Sequence, residues 1–154
     1  MDALIDTNDF LAPEPHIVER LKKALADLKP AVHVLTVSEL SAIKEESQPV
    51  PAVHVVWNGF AVLESRSDGR QARLDHTWLI VTAVRNVRGL QSGAAARADA
   101  GPLMARAGAA LMGFRPPGVA GPMRMVSAPA AGQSPGFMYL PLAFKVETHF
   151  KATA

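Results

Sequence analysis

The residues whose spacing invites a chemical reading lie near the C-terminus, where Gly132-Gln-Ser-Pro-Gly136 fits the G-x-S-x-G frame of a serine nucleophile. That chemistry needs the serine on a sharp turn from strand into helix. An acid and then a histidine must follow in the chain, so that the imidazole can take the hydroxyl proton. Here a strand follows, Pro135 restricts the turn, and only Glu147 and His149 remain downstream. Those two would share one face at the far end of that strand, out of reach of Ser134. The motif reads as a glycine-rich loop, with a small serine hydrolase using Ser134 kept as the competing class.

The five histidines, His16, His33, His54, His76 and His149, are scattered, and no pair has the i, i+3 or i, i+4 spacing of a helical metal site. His54 and His76 fall on strands that could pair, which leaves a two-ligand cluster to set against ordinary hydrogen-bonded sheet histidines. His76 follows Asp75 directly, and adjacent strand residues point to opposite faces. Glu45 and Glu46 stand beside Lys44 in a polar loop and read as solvated. Neither G-x-x-x-x-G-K-[ST] nor G-x-G-x-x-G occurs, and the basic residues are not interleaved with aromatics as in single-strand binders. With no cysteine, the chain also lacks thiolate chemistry. The sequence therefore nominates no catalytic, cofactor-binding or metal-binding residue, and a protein that is not an enzyme is expected.

One polar cluster stands out for another reason. Arg66, Arg70 and Arg73 surround Asp68 within a short turn. A solvated turn is the plain account. The functional alternative is an interaction loop, because arginine joins a planar donor fork to an apolar stem and is enriched at interfaces. Arg85 and Arg88, at the other end of the strand that follows, would extend such a surface.

The elements that must position these groups can be read from periodicity. Residues 1–13 look like an irregular arm. A helix is expected from Glu14, with Pro15 in its first turn, Ile17, Val18, Leu21, Leu25 and Leu28 on its apolar face, and Pro30 ending it. Val32–Val37 reads as a strand, and Ser38 as the cap of a brief helix through Lys44. After a proline-bearing loop, Ala52–Trp57 and Phe60–Glu64 are strands separated by a bend or bulge at Asn58-Gly59. Asp68-Gly69 marks a hairpin tip. Leu74–Val87 is the longest strand expected, with Leu74, His76, Trp78, Ile80, Thr82 and Val84 on one face. Ala94–Met112 is helical in composition, kinked or restarted by Pro102 and capped by Gly113. Met123–Ser127 is a short strand, residues 128–136 a loop, and Phe137–Phe150 a closing strand. Pro141 cannot donate to a ladder and places its part of that strand at an edge or bulge.

This order predicts an α+β fold, a mainly antiparallel sheet with two principal helices on one face, in a single domain spanning residues 1–154. Of the 154 residues, 49% are hydrophobic but only 6% aromatic, so part of the burial is expected to come from a partner subunit. A formal charge of +2 gives no footprint for a dedicated DNA-binding domain. The acidic N-terminus lacks a signal-peptide pattern, and no run approaches the ~18 apolar residues of a membrane span. A soluble chain made in the cytoplasm is expected, with no membrane partner.

Several segments, taken in order, resemble one family. They are Gln48-Pro-Val-Pro-Ala-Val-His-Val-Val56, Ala96-Arg-Ala-Asp-Ala-Gly-Pro-Leu103, Ala110-Leu-Met-Gly-Phe-Arg-Pro116, Met125-Val-Ser-Ala-Pro129 and Tyr139-Leu-Pro-Leu-Ala-Phe144. Together they are similar to the tail terminator, or tail completion, proteins of Mu-like bacteriophages, which share a fold with lambda-type terminators. The resemblance implies a subunit of a hexameric ring at the head-proximal end of a phage or prophage tail. Such a ring stops tube polymerisation and presents a surface to the head-side connector or neck protein. It implies a homo-oligomer, a tail tube partner, passage of phage DNA without sequence-specific binding, assembly in the host cytoplasm, and no cofactor. Another small tail or neck component, a tube or head-completion protein, is the alternative within structural proteins.

Overall fold

Successive side chains of a strand point to opposite faces, and three long segments here are apolar at their centres on both faces and polar toward the hairpin end. The computed structural model describes residues 6, 8–86 and 94–153. It places these segments side by side as β2 (Ala52–Ser65), β3 (Gln71–Arg85) and β6 (Phe137–Lys151), all antiparallel. β1 (His33–Thr36) joins β2 in parallel. β4 (Arg124–Val126) and β5 (Gly132–Ser134) lie along the other flank of β6, giving the order β1-β2-β3-β6-β4 with β5 beside β6. The helices are α1 (Glu14–Ala24), α2 (Val37–Ser41) and α3 (Ala94–Leu111). This is the α+β fold expected, mainly antiparallel.

α1 and α3 pack on one face of the sheet. Ile17, Leu21 and Leu25 from the α1 region, with Leu103, Ala107 and Leu111 from α3, meet Val53, Val55, Trp78, Ile80 and Phe144 in one buried cluster. Trp78 is wholly buried at its centre, paired across the ladder with Trp57 on one side and Phe144 on the other. Gly108 lets α3 approach closely: a Cβ there would come 3.1 Å from Leu142 Cδ1 and 3.3 Å from Met125 Cε.

The hairpin between β2 and β3 sets the phase of the whole ladder. Arg66 N–H donates to the Gln71 carbonyl at 2.9 Å, and Gly69, in the left-handed region at φ +71°, closes the turn onto the Arg66 carbonyl. In an antiparallel pair alternate residues bond to opposite sides. Gln71, Arg73 and Asp75 therefore bond toward β2, and Leu74, His76 and Trp78 toward β6. The same phase carries into β6, where odd-numbered residues point their backbone away from β3. The Ala120 N–H reaching the Glu147 carbonyl, and Asn8 bonded to both N–H and carbonyl of Lys151, agree with it. Pro141 then turns its missing donor outward. It falls in the gap between the β4 and β5 pairings, so the ladder to β3 loses nothing.

Local chemistry accounts for the differences from expectation. α1 ends at Ala24 rather than near Pro30; the preceding Lys29 is pushed toward extended backbone, so the last apolar residues lie in turns, Leu25 still buried. The cap of α2 is Thr36, not Ser38: its hydroxyl accepts from Glu39 N–H while the Glu39 carboxylate accepts from Thr36 N–H, a reciprocal capping box. α3 is not restarted at Pro102. The helix runs through it, because Gly101 carries no Cβ to clash with the proline ring and Pro102 is exposed, leaving the freed carbonyl to water. Gly113 does follow the helix in a left-handed conformation, φ +76°. The expected bulge at Asn58-Gly59 appears as a register shift between Trp57 and Phe60 within one continuous strand. The loop over residues 128–136 contains β5, which turns back onto β6 through Pro135-Gly136.

Core burial outweighs surface pairing in this fold. Leu21→Ala, at a position with no exposure, should lower stability by about 2–5 kcal/mol in urea denaturation. Glu19→Ala, which breaks an exposed i, i+4 pair of 3.4 Å with Lys23, should change it by less than about 0.5 kcal/mol. Comparable losses would show that α1 is not anchored through Leu21.

Candidate assembly surface

The helices leave the opposite face of the sheet without a covering layer over its middle. Val56, Leu79, Val81, Pro141 and Val126 line this stretch half-buried, around Ala143, which is buried. Toward the hairpin the same face turns charged. Asp75, 7% exposed, accepts from Arg124 at 2.7 Å, and Arg73 lies 3.5 Å from Glu147 and 3.8 Å from Glu64. His149 adds a contact to Glu147 at 3.8 Å. These ions pair across neighbouring strands, so charge of each sign on this face lies beside charge of the other.

The structure separates the residues nominated from sequence. Arg66, Asp68 and Arg70 do share the hairpin tip: Arg66 donates to Gln71 Oε1, the Asp68 carboxylate accepts from Arg70 N–H, and Arg70 donates to the Thr153 carbonyl. Arg73 sits farther down, in the ion-pair group. Arg85 lies at the opposite end of β3, roughly 40 Å from Arg73 at ~3.3 Å per residue, with its guanidinium 5.2 Å from the Phe137 ring centroid. It does not extend the hairpin surface. Arg88 lies outside the described residues. His54 and His76 project from opposite faces, which removes the two-ligand cluster.

Ser134 has a neighbourhood that sequence order hid. It lies beside Tyr139, whose phenol donates to Glu45 Oε2 and accepts from Gln48 Nε2 at 2.7 Å. The Tyr139 bond, with Ser134 close by, holds Glu45 below the usual carboxylate range; burial, then the Glu45 carboxylate, pushes Tyr139 up. Yet Ser134 Oγ makes no hydrogen bond of ordinary length and angle, and no histidine nitrogen reaches it. Buried His54, its pKa lowered by desolvation, lies tilted against Tyr139 with ring centroids 6.2 Å apart. The serine therefore lacks the histidine partner that the G-x-S-x-G chemistry requires. The cluster ties the 3-10 turn at Glu45–Ser47 to β6.

Two features escaped sequence reasoning. The first is the arm: Asn8 is bonded to Lys151, and Phe10 packs edge-to-face on Phe60, His76 and Phe150 at 5.1, 5.3 and 5.5 Å between centroids. The second is the exposure of Phe60, Val62, Leu63 and Phe150 at that end of the sheet. The run Phe60-Ala-Val-Leu63 was visible as apolar. Its exposure depends on where the helices stop.

His76 anchors this end. Trp57 Nε1 can only donate, so His76 Nδ1 accepts it at 3.1 Å, and Nε2–H then donates to Thr148 Oγ1 at 2.9 Å. Burial lowers its pKa below the ordinary 6.5, with Asp75 opposing. Below that pH the unfolded chain takes up a proton that the folded chain resists, so stability is retained above about 6.5 and declines as pH falls. Urea midpoints at pH 7.5 and 5.5 should therefore differ, lower in acid, and His76→Gln should flatten the difference. An equal fall in the variant would locate the titration elsewhere, His54 being the other lowered histidine.

Comparison with curated proteins gives no match. Among solved structures, a chain from the virion of a native gene transfer agent particle is similar at 15% identity and a TM-score of 0.48, covering 86% of this chain and 91% of that one. Neither helix nor strand content decides between families of this kind. The family model for the phage tail terminator protein, however, matches residues 6–154, nearly the whole chain. The chain therefore belongs to the phage tail terminator family and is a structural protein of the tail.

Proposed function

We propose that this protein forms a closed ring, six copies in number, at the head-proximal end of a phage or prophage tail. There it caps the tube, ends its polymerisation and supplies the surface that the head-side connector or neck protein joins. The family match across residues 6–154 carries this reading. Physical features are consistent with it. A ring needs two different patches per subunit whose rotation closes, and among the described residues this subunit has an uncovered sheet face, an unpaired strand edge and an arginine-bearing hairpin tip. Capping is mechanical: one ring face docks on the tube, and the other offers nothing that a further tube ring can use. The lumen passes DNA without reading it, in keeping with a formal charge of only +2. Assembly takes place in the host cytoplasm and the product is part of the virion, without a membrane; among the described residues no helix is long and apolar enough to cross one.

Deleting the protein from its phage and imaging the particles tests the assignment. Free heads together with overlong or unjoined tails are expected. Normal particles would sink it, and long tubes formed by the purified chain alone would make it a tube subunit instead.

A further inference from the structure

β2 is paired on both sides only as far as Val55, where its parallel contact with β1 ends. From there to Ser65 it has β3 on one side and, among the described residues, no strand on the other. The ladder phase set by the Arg66–Gln71 bond gives this edge its direction. Val62 and Phe60 stand opposite Leu74 and His76, which bond toward β6, so both must point N–H and carbonyl outward. Their side chains, with Leu63, are also among the most exposed apolar groups of the molecule, at 44% for Phe60, 56% for Val62 and 45% for Leu63. An edge that offers both unpaired backbone and apolar side chains is a template for another strand.

The other outer edge of the same sheet has the same character. β4 bonds to β6 through Arg124 and Val126, so Met125 turns its backbone outward. Its neighbour Met123 is already taken by residues 113 and 114. Met125 is 44% exposed, on the helix-covered face like Phe60 and Val62. On the opposite face the β2 edge carries Glu64, whereas the β4 edge carries Arg124, next to Lys145 on β6. β4 also runs opposite to β2, since each step β2-β3-β6-β4 reverses direction.

We propose that the free edge of β2, at Phe60–Leu63, pairs antiparallel with the β4 edge, at Met125–Ser127, of a second copy of this chain. Apolar side chains then meet apolar ones on the helix side, and on the open side Glu64, paired in its own subunit with Arg73, comes to face Arg124, paired in its own with Asp75. The contact is head-to-tail, so each subunit spends one edge on each neighbour and the sheet continues from copy to copy. The inference rests on the ring proposed above and names the edges that close it.

The chain contains no cysteine, so introduced pairs report without background. The full chain carrying Met125→Cys with either Phe60→Cys or Val62→Cys, oxidised after assembly on isolated tail tubes, should yield a covalent ladder in at least one case. Mixing chains that each carry a single cysteine should stop at dimers. Val62→Pro, whose lost N–H points away from β3, should keep a folded circular dichroism spectrum yet lose ring assembly. Closed rings seen by electron microscopy with no ladder from either pair, and with Val62→Pro still assembling, would overturn the edge pairing and leave the ring intact. Folded chains that never close into rings, alone or on tubes, would overturn both.

Discussion

A single turn bond, from Arg66 N–H to the Gln71 carbonyl, sets which way the backbone groups of β3 and β6 point, while two register shifts re-phase β2 against them. Because an antiparallel ladder alternates strictly, that choice runs through β3 into β6 and out to β4. It puts Trp78, Ile80, Phe144 and Val146 under the helices and leaves Leu79, Val81 and Ala143 on the open face. Slipping the hairpin by one residue would exchange the two sets and expose the core. The same phase lets Pro141 sit inside a long strand and makes Phe60 and Val62 an outward edge.

Coverage of this sheet is uneven, and the unevenness separates structure from assembly. Over the middle of one face, α1 and α3 bury a continuous apolar cluster. Toward the hairpin tip the helices have ended, and the N-terminal arm takes their place, held by Asn8 on Lys151 and by Phe10 among aromatic rings. At the opposite end of the other face, Glu45, Gln48 and Tyr139 fasten the 3-10 turn over Leu35, Ala52 and Ala83. What these covers do not reach is the apolar middle of the open face and the outer edge of β2.

Much of this was legible in the chain. Period-two alternation identified both faces of β3 and β6, and Asp68-Gly69 identified the hairpin, because those signals are local and every residue contributes to them. Helix ends were harder. Thr36 and Ser38 are equally plausible caps by residue type, and the choice fell to Thr36 because Glu39 is placed to return the bond. The passage of α3 through Pro102 turned on the missing Cβ of Gly101, a pairwise steric detail that propensity does not weigh.

The sequence by itself nominated no catalytic set, predicted the α+β fold, and carried the ordered segments that resemble tail terminators. Composition, alternation and segment order are properties of the chain, so they can be read without coordinates. Only the tertiary structure decided that Ser134 lies beside Glu45 and Tyr139 and away from every histidine, that Arg85 is far from Arg66, Arg70 and Arg73, and that among the described residues Phe60 and Val62 occupy an unpaired edge. Each of these depends on contacts between residues distant in sequence. Proximity across a sheet follows from register and from where the covering elements end, and neither is encoded in any one segment.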